Sequence, residues 1–251
     1  MLSALICAKN EINNIEACIQ TLAFADEVVV IDDHSTDETV SKARSCGAKV
    51  FVRSMNGDWS SQRNFGINRC NGDWVLVVDA DERVTQELAD SVLEKINKGE
   101  KKAYEVRRNN CFRFNKATHG ILRPDWVVRL FPKDNSEYIG LVHEKLETSY
   151  SKEKINDGVL SHFTYDNWDS YFGKFDRYTR LMAKQNYSEG KRAHFFLDIV
   201  LRPAWAFFKV YFLNMGFLDG RLGFIFSVNH YFYTMTKYVR LYYLDKNDGK
   251  L

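Results

Sequence analysis

Over the first hundred residues of this 251-residue chain, short apolar runs alternate with helical spacings. Leu2–Ala8 is apolar and stops at Lys9-Asn10-Glu11, which predicts a strand and a turn. Ile12, Ile15, Ile19 and Leu22 then recur at the spacing of a helix with one buried face. Glu27–Ile31 is a continuous β-branched run, as in a strand buried on both faces. It ends in Asp32-Asp33-His34-Ser35-Thr36-Asp37, where Ser35 or Thr36 can cap a helix running to about Cys46. Gly47 closes that helix and Lys49–Val52 is a third strand. A helix over 60–70, a strand over 74–78 and a helix over 85–97 follow. Strands alternating with helices of this length predict parallel βαβ units.

Beyond residue 100 the pattern changes. Tyr104–Arg107, Val127–Phe131, His143–Leu146 and Val159–His162 read as short strands between polar loops. Residues 167–187 and 224–244 read as helices. Residues 193–213 are strongly apolar but interrupted by Asp198, Arg202-Pro203 and Lys209. A spanning helix wants about 20 nearly uninterrupted apolar residues, so an interfacial or re-entrant helix pair is expected. There are no internal repeats.

The net charge of +2 implies no nucleic-acid partner. It hides an asymmetry: residues 165–251 carry +5 and the remainder −3, and 23 of the 36 aromatics lie in that tail. A basic, aromatic tail fits a membrane surface, or a helical subdomain packed by aromatics. Cys7, Cys18, Cys46, Cys70 and Cys111 are scattered without a C-x-x-C, as expected of buried thiols in a reducing compartment. The opening MLSALICAKNE has no basic n-region and reads as a first strand rather than a signal peptide.

The chemistry concentrates where WVLVVDADE ends in Asp79-Ala80-Asp81. Ligands of open α/β sheets bind at the C-terminal ends of the strands. Paired carboxylates suit Mg²⁺ or Mn²⁺, which bridge to phosphate. The plain alternative is a turn that caps the next helix. No Gly-x-Gly-x-x-Gly or Gly-Lys-Ser/Thr follows the first strand, so dinucleotide and P-loop readings lose their support. Asn10-Glu11, Asp32-Asp33 and Arg63-Asn64 fall at or beside the same edge. An acidic residue after the second strand can bond a base or ribose, and Arg63 can offset pyrophosphate charge.

Together and in this order, ALICAKNE, VVVIDDHSTDET, the Arg63-Asn64 helix and WVLVVDADE resemble the family 2 glycosyltransferases with the GT-A fold. RLF at 129–131, GLVHEKL at 140–146, SHFTY at 161–165 and RPAWAFFKVYFLNMGFLDGRLGF are similar to the bacterial lipopolysaccharide core glucosyltransferase subgroup. The resemblance implies an α/β GT-A fold, a mostly parallel sheet flanked by helices, over residues 1–165. Within it, 1–100 would be the nucleotide-sugar half and 101–165 the acceptor half, with 166–251 a helical, membrane-associating extension. It implies an inverting, metal-dependent hexosyltransferase that moves sugar from a nucleotide-diphosphate donor, expected to be a UDP-sugar, to a membrane-linked glycan such as a lipopolysaccharide core.

On that resemblance, donor contacts fall to Ala8, Asn10, Glu11, Asp33, Arg63, Asp79, Ala80 and Asp81. Mn²⁺ or Mg²⁺ falls to Asp79, Asp81 and a downstream histidine, His162, with His143 the other contender. Glu144 takes the place of the catalytic base and Asp125 is its rival; Glu144 could instead be a surface residue or pair with Arg129. Asp125, Arg129 and His143 are candidates for acceptor or phosphate contact, and Arg123 and Lys133 could do the same or form a solvated face. His34 sits in a loop without chemistry. The enzyme would be cytoplasmic and peripheral at the inner face of the cell membrane, with a homo-oligomer left open. The competing readings are a sugar nucleotidyltransferase, which wants a glycine-rich loop that CAKNEINN lacks, and a non-catalytic nucleotide-sugar-binding scaffold.

Overall fold

The structure, a computed structural model, describes residues 1–112, 115, 116, 119–140, 144–165 and 167–250, with main chain alone at 115 and 116. The strands are β1 (Leu2–Ala8), β2 (Glu27–Asp32), β3 (Lys49–Val52), β4 (Trp74–Asp79), β5 (Glu82–Val84), β6 (Ala103–Phe112), β7 (Asn115–Lys116), β8 (Asp125–Pro132), β9 (Ser136–Ile139), β10 (Lys145–Thr148) and β11 (Lys152–Tyr165). The α-helices are α1 (Ile15–Gln20), α2 (Thr39–Ser45), α3 (Trp59–Arg69), α4 (Gln86–Asn97), α5 (Trp168–Ser188), α6 (Arg202–Phe208) and α7 (Gly220–Lys246). The chain divides into two compact units, one of Met1–Asn109 with Asp125–His162, the other of Asn110–Pro124 with Phe163–Leu251.

In the first unit the strand order is β3-β2-β1-β4-β8-β6-β11-β5. β1 lies parallel between β2 and β4, and all seven of its residues are buried. Both faces of the strand are covered, so its residues alternate between two apolar clusters rather than between core and water. Ala4, Ile6 and Ala8 join Val30, Leu76 and Val78 on one face; Leu5 and Cys7 join Val29, Ile31, Val75 and Val77 on the other. Helix α3 starts at Asp58, whose carboxylate caps the Ser61 N–H at 2.9 Å. Gly66 lets α3 approach the sheet, because a Cβ there would come within 2.5 Å of the Leu5 Cδ1.

The parallel βαβ half matches expectation. The rest makes the sheet a mixed one: β8 runs antiparallel to β4, β6 antiparallel to β8, and β11 antiparallel to β5. Three strands were not anticipated: β5, β9 and the two-residue β7, which pairs with β6. At three residues, β5 is too short for any periodic signal and exists because it pairs with β11. β9 pairs with β10, which covers Lys145–Thr148 rather than the expected 143–146, and His143 lies outside the described residues.

In the second unit, α5 opens with a capping box between Asn167 and Ser170. Ala183 of α5 packs with Leu241 and Leu244 of α7, and Arg240 donates to the Asp176 carboxylate and the Thr179 hydroxyl. Gly223 passes so close to Gly216 that a Cβ would overlap its carbonyl oxygen at 1.8 Å. The interruption expected at Pro203 is absent. A π-helical turn (Phe195–Leu201), α6 and a second π-helical turn (Lys209–Leu213) follow one another directly, and the winding changes from π to α at Leu201–Arg202, beside Pro203, which has no N–H to continue the i→i−4 ladder. Among the described residues no helix is long and apolar enough to cross a membrane.

At the edge of the sheet opposite the candidate chemistry, Glu27 accepts from the Ser3 hydroxyl, the Asn71 N–H and the Lys49 ammonium. Burial alone would raise this carboxyl, but those donors outweigh it and lower it to about 2. A carboxyl lowered in the folded state stabilises fully above its unfolded value, near 4.5, and loses that contribution as pH falls toward 2. Glu27→Gln should therefore unfold at lower urea than the parent at pH 7. The gap should shrink through pH 4 and close near pH 2; a gap independent of pH would contradict this assignment.

Candidate active site

Register assembles the site. Cys7 lies opposite both Ile31 and Asp79, and Ala8 opposite Asp32, so the carboxyl ends of β1, β2 and β4 stand side by side. The loops leaving β1 and β2 are tied together. Asn10, in the left-handed region at φ 56°, accepts the Thr36 N–H at 2.8 Å and donates its own N–H to the Ser35 hydroxyl. The Glu11 N–H reaches the Thr39 hydroxyl at 2.8 Å, and the Glu11 carboxylate accepts from Asn14. Asp33 donates its N–H to the Ala8 carbonyl, and its carboxylate takes the Lys9 ammonium at 2.8 Å and the Met55 N–H at 2.9 Å. Burial would raise the Asp33 carboxyl, but Lys9 and Met55 prevail and hold it below the ordinary range. Buried Asp32, the first acid of the pair, folds back on Ser35 and shapes the loop.

Asp79 ends β4 between two guanidiniums. Arg63 Nη2 of α3 lies 3.1 Å from one carboxylate oxygen, and Arg129 Nη2 of β8 lies 2.7 Å from the other. Burial would raise this carboxyl, but Arg129 and Arg63 hold it far below the usual range. Arg129 Nη2 also lies 2.6 Å from Glu82, which is fully buried and accepts the Asp79 N–H at 2.8 Å. Burial pushes the Glu82 carboxyl up, with Arg129 opposing. Arg129, expected to meet acceptor or phosphate, is 3% exposed and so is spent inside the protein.

Arg63 Nη2 also lies 3.3 Å from Glu144 Oε1, and its guanidinium sits over the Tyr138 ring at 5.0 Å. Glu144 therefore pairs with Arg63, not Arg129, and keeps 20% of its side chain exposed. Asn64 fixes β9 against α3, exchanging hydrogen bonds with the Tyr138 main chain at 2.7 and 2.8 Å. The rival base, Asp125, is gripped bidentately by Arg108, which stands opposite it in the β6–β8 register.

His162 stands opposite Glu82 in the β5–β11 pair, and its Nε2 lies 3.3 Å from Asp81 Oδ2. One carboxylate and one imidazole, both half-buried, could contribute two ligands to a divalent cation. Asp79, the third expected ligand, faces Arg63 and Arg129 instead, and no group of three His, Cys, Asp or Glu side chains gathers for a metal among the described residues. Ala80 is buried, and its carbonyl accepts from Arg83 at 2.9 Å.

Glu82 and Tyr138 are the members that sequence reasoning missed. Removing one partner of a buried ion pair costs about 3–5 kcal/mol, because the other charge is left uncompensated. Glu82→Gln and Arg129→Met should each lower stability by roughly that much in urea titration, while the double variant loses clearly less than the sum. Strict additivity would show that the two side chains do not act as a unit.

Residues 3–145 match the model of the family described as Glycosyl transferase family 2. An uncharacterized glycosyltransferase of Rickettsia bellii is 30% identical over 96% of this chain and 84% of its own length. The lipopolysaccharide core biosynthesis glycosyltransferase LpsC of Rhizobium meliloti is 27% identical over 96% of this chain and 92% of its own. A solved glucosyl-3-phosphoglycerate synthase from Mycobacterium tuberculosis, with Mn²⁺, UDP and product, is 22% identical over 45% of this chain and 44% of that one, with a TM-score of 0.34, a likeness too distant to bear on ligands. The family match over more than half the chain, at the strands that carry Asp33, Asp79 and Asp81, makes this chain a member of glycosyl transferase family 2.

Proposed function

We propose that the chain transfers a hexose from a UDP-sugar to a hydroxyl of a membrane-linked bacterial glycan, with inversion at the anomeric carbon. The observation that carries this reading is the position of Arg63, whose one Nη2 reaches both Asp79 and Glu144. It joins the donor edge of the sheet to a carboxylate able to take a proton. The acceptor rests on likeness to a relative named for lipopolysaccharide core biosynthesis.

The step is a single in-line displacement. The acceptor oxygen forms a bond to the anomeric carbon as the bond from that carbon to the diphosphate oxygen breaks, so the configuration inverts. Glu144 takes the acceptor's proton, and UDP departs. In this reading Asp33, which the Lys9 ammonium and the Met55 N–H hold in position, bonds the nucleoside. Arg63 supplies positive charge beside the departing diphosphate. Asp81 and His162 would hold a Mn²⁺ or Mg²⁺ ion, which would neutralise leaving-group charge. Asp79 keeps Arg63 and Arg129 aligned.

Asp81→Asn should abolish the gain in UDP affinity that Mn²⁺ gives the parent, read by titration calorimetry, while metal-free UDP binding stays the same. Full transfer by Asp81→Ala in excess EDTA would remove the metal from the reading.

Glu144→Gln keeps size and loses basicity. Its kcat should fall about 10²–10⁴-fold with UDP affinity unchanged, the range of general-base contributions. A kcat within twofold of the parent would exclude Glu144 as the base.

A further inference from the structure

The segment from Phe195 to Ile225 inverts the ordinary pattern of a surface helix. A surface helix turns its apolar stripe inward and its polar residues to water. Here Asp198, Pro203 and Val210 are buried, while Phe196 is 64% exposed, Trp205 58% and Leu213 57%. Phe208, Phe212 and Leu218 are exposed as well. Scattered exposed hydrophobics are normal, but a continuous run of large ones marks a surface that meets something apolar.

The charges in the same segment have one sign toward solvent. Arg202, Lys209 and Arg221 are exposed, and Lys209 and Arg221 have no ion-pair partner among the described residues. The two acids face inward. Asp198 is buried against Arg202 and the His194 N–H, and Asp219, with 9% of its side chain exposed, binds the His119 main chain. An exposed apolar surface studded only with cations matches an anionic lipid leaflet, where rings and alkyl chains enter the headgroup boundary and Lys and Arg meet phosphate. A second copy of the chain is the poorer match. A two-fold interface sets a patch against itself, and this one would bring its uncompensated cations together.

We infer that Phe195–Ile225 is a membrane-docking surface that binds anionic phospholipid, with the aromatic and leucine side chains entering the headgroup layer and Lys209 and Arg221 contacting lipid phosphate. The rest of α7 is tied more closely to its neighbours: Thr234, Leu241 and Leu244 are buried, Arg240 is bound to α5, and Phe232 and Tyr243 are its exposed large apolar side chains. This narrows the sequence expectation, which spread the membrane contact over the extension at 166–251.

The test is co-sedimentation of the full chain with vesicles of phosphatidylcholine alone or mixed with phosphatidylglycerol. The parent should pellet with the phosphatidylglycerol vesicles at least tenfold more strongly than with phosphatidylcholine. Lys209→Gln/Arg221→Gln should weaken that binding about 25-fold, near fivefold per cation. Trp205→Ser/Phe208→Ser should abolish it with unchanged thermal unfolding and unchanged UDP binding, since solvent-facing side chains are replaced. UDP binding without vesicle binding would overturn the docking surface and leave the transfer reaction standing; vesicle binding by a protein that binds no UDP would do the reverse. Equal binding to both vesicle types, or a concentration-dependent dimer in sedimentation velocity that Trp205→Ser/Phe208→Ser dissolves, would also overturn it.

Discussion

The site depends on one guanidinium. Arg129 Nη2 lies within 2.7 Å of Asp79 and 2.6 Å of Glu82, two carboxylates on consecutive strands with only Ala80 and Asp81 between them. Two like charges that close in a poorly solvated setting repel unless a cation stands between them. Arg129 is that cation, delivered from β8, which lies antiparallel to β4. With it in place, β4 can end in a carboxylate, turn through Ala80 and Asp81, and re-enter the sheet as β5. The turn then points Asp81 at His162. Arg63 closes the other side of Asp79, so the geometry of the whole edge is electrostatic before any ligand arrives.

That arrangement divides the two acids of the Asp-x-Asp pair by environment. Asp79 is held between arginines, while Asp81 lies 3.3 Å from the His162 imidazole. Identical side chains two residues apart thus stand in different surroundings, one between two guanidiniums and one beside an imidazole. The relation between Arg63 and Glu144 has a similar logic. The carboxylate cast as base is held by the same nitrogen that faces the donor edge, so its position follows the helix that carries Arg63.

Much of the first unit could be read from the chain. β1, β2 and β4 are continuous apolar runs, the helices between them have ordinary lengths, and the polar residues at the strand ends fall where parallel sheets present ligand sites. The antiparallel half was harder, because its strands owe their existence to partners distant in sequence. β5 has three residues and β9 four, and neither shows a pattern of its own. Glu82 was missed because, in linear order, it is simply the residue after a motif, and nothing local says that it turns inward. Arg129 could have been found. It interrupts an apolar strand between Val128 and Leu130, and a charge in a buried run calls for a buried partner. The Arg63–Glu144 pair joins residues 81 positions apart and was beyond any spacing argument. In the second unit, the helices were expected, but the helical passage across Pro203 was not, because sequence alone does not show the change from π to α winding beside this proline.

The hydrogen bonds between the loops after β1 and β2 have a further consequence for how such a site can change over time. Asn10 and Glu11 donate to Ser35 and Thr39, and Thr36 donates back to Asn10, so neither loop holds its shape alone. A substitution that reshapes one loop leaves the other with unpaired main-chain groups. Divergence toward a different nucleotide should therefore proceed by exchange of the two loops together, as a single inherited part, and grafting either one by itself into a relative should yield a misshapen pocket rather than a new specificity.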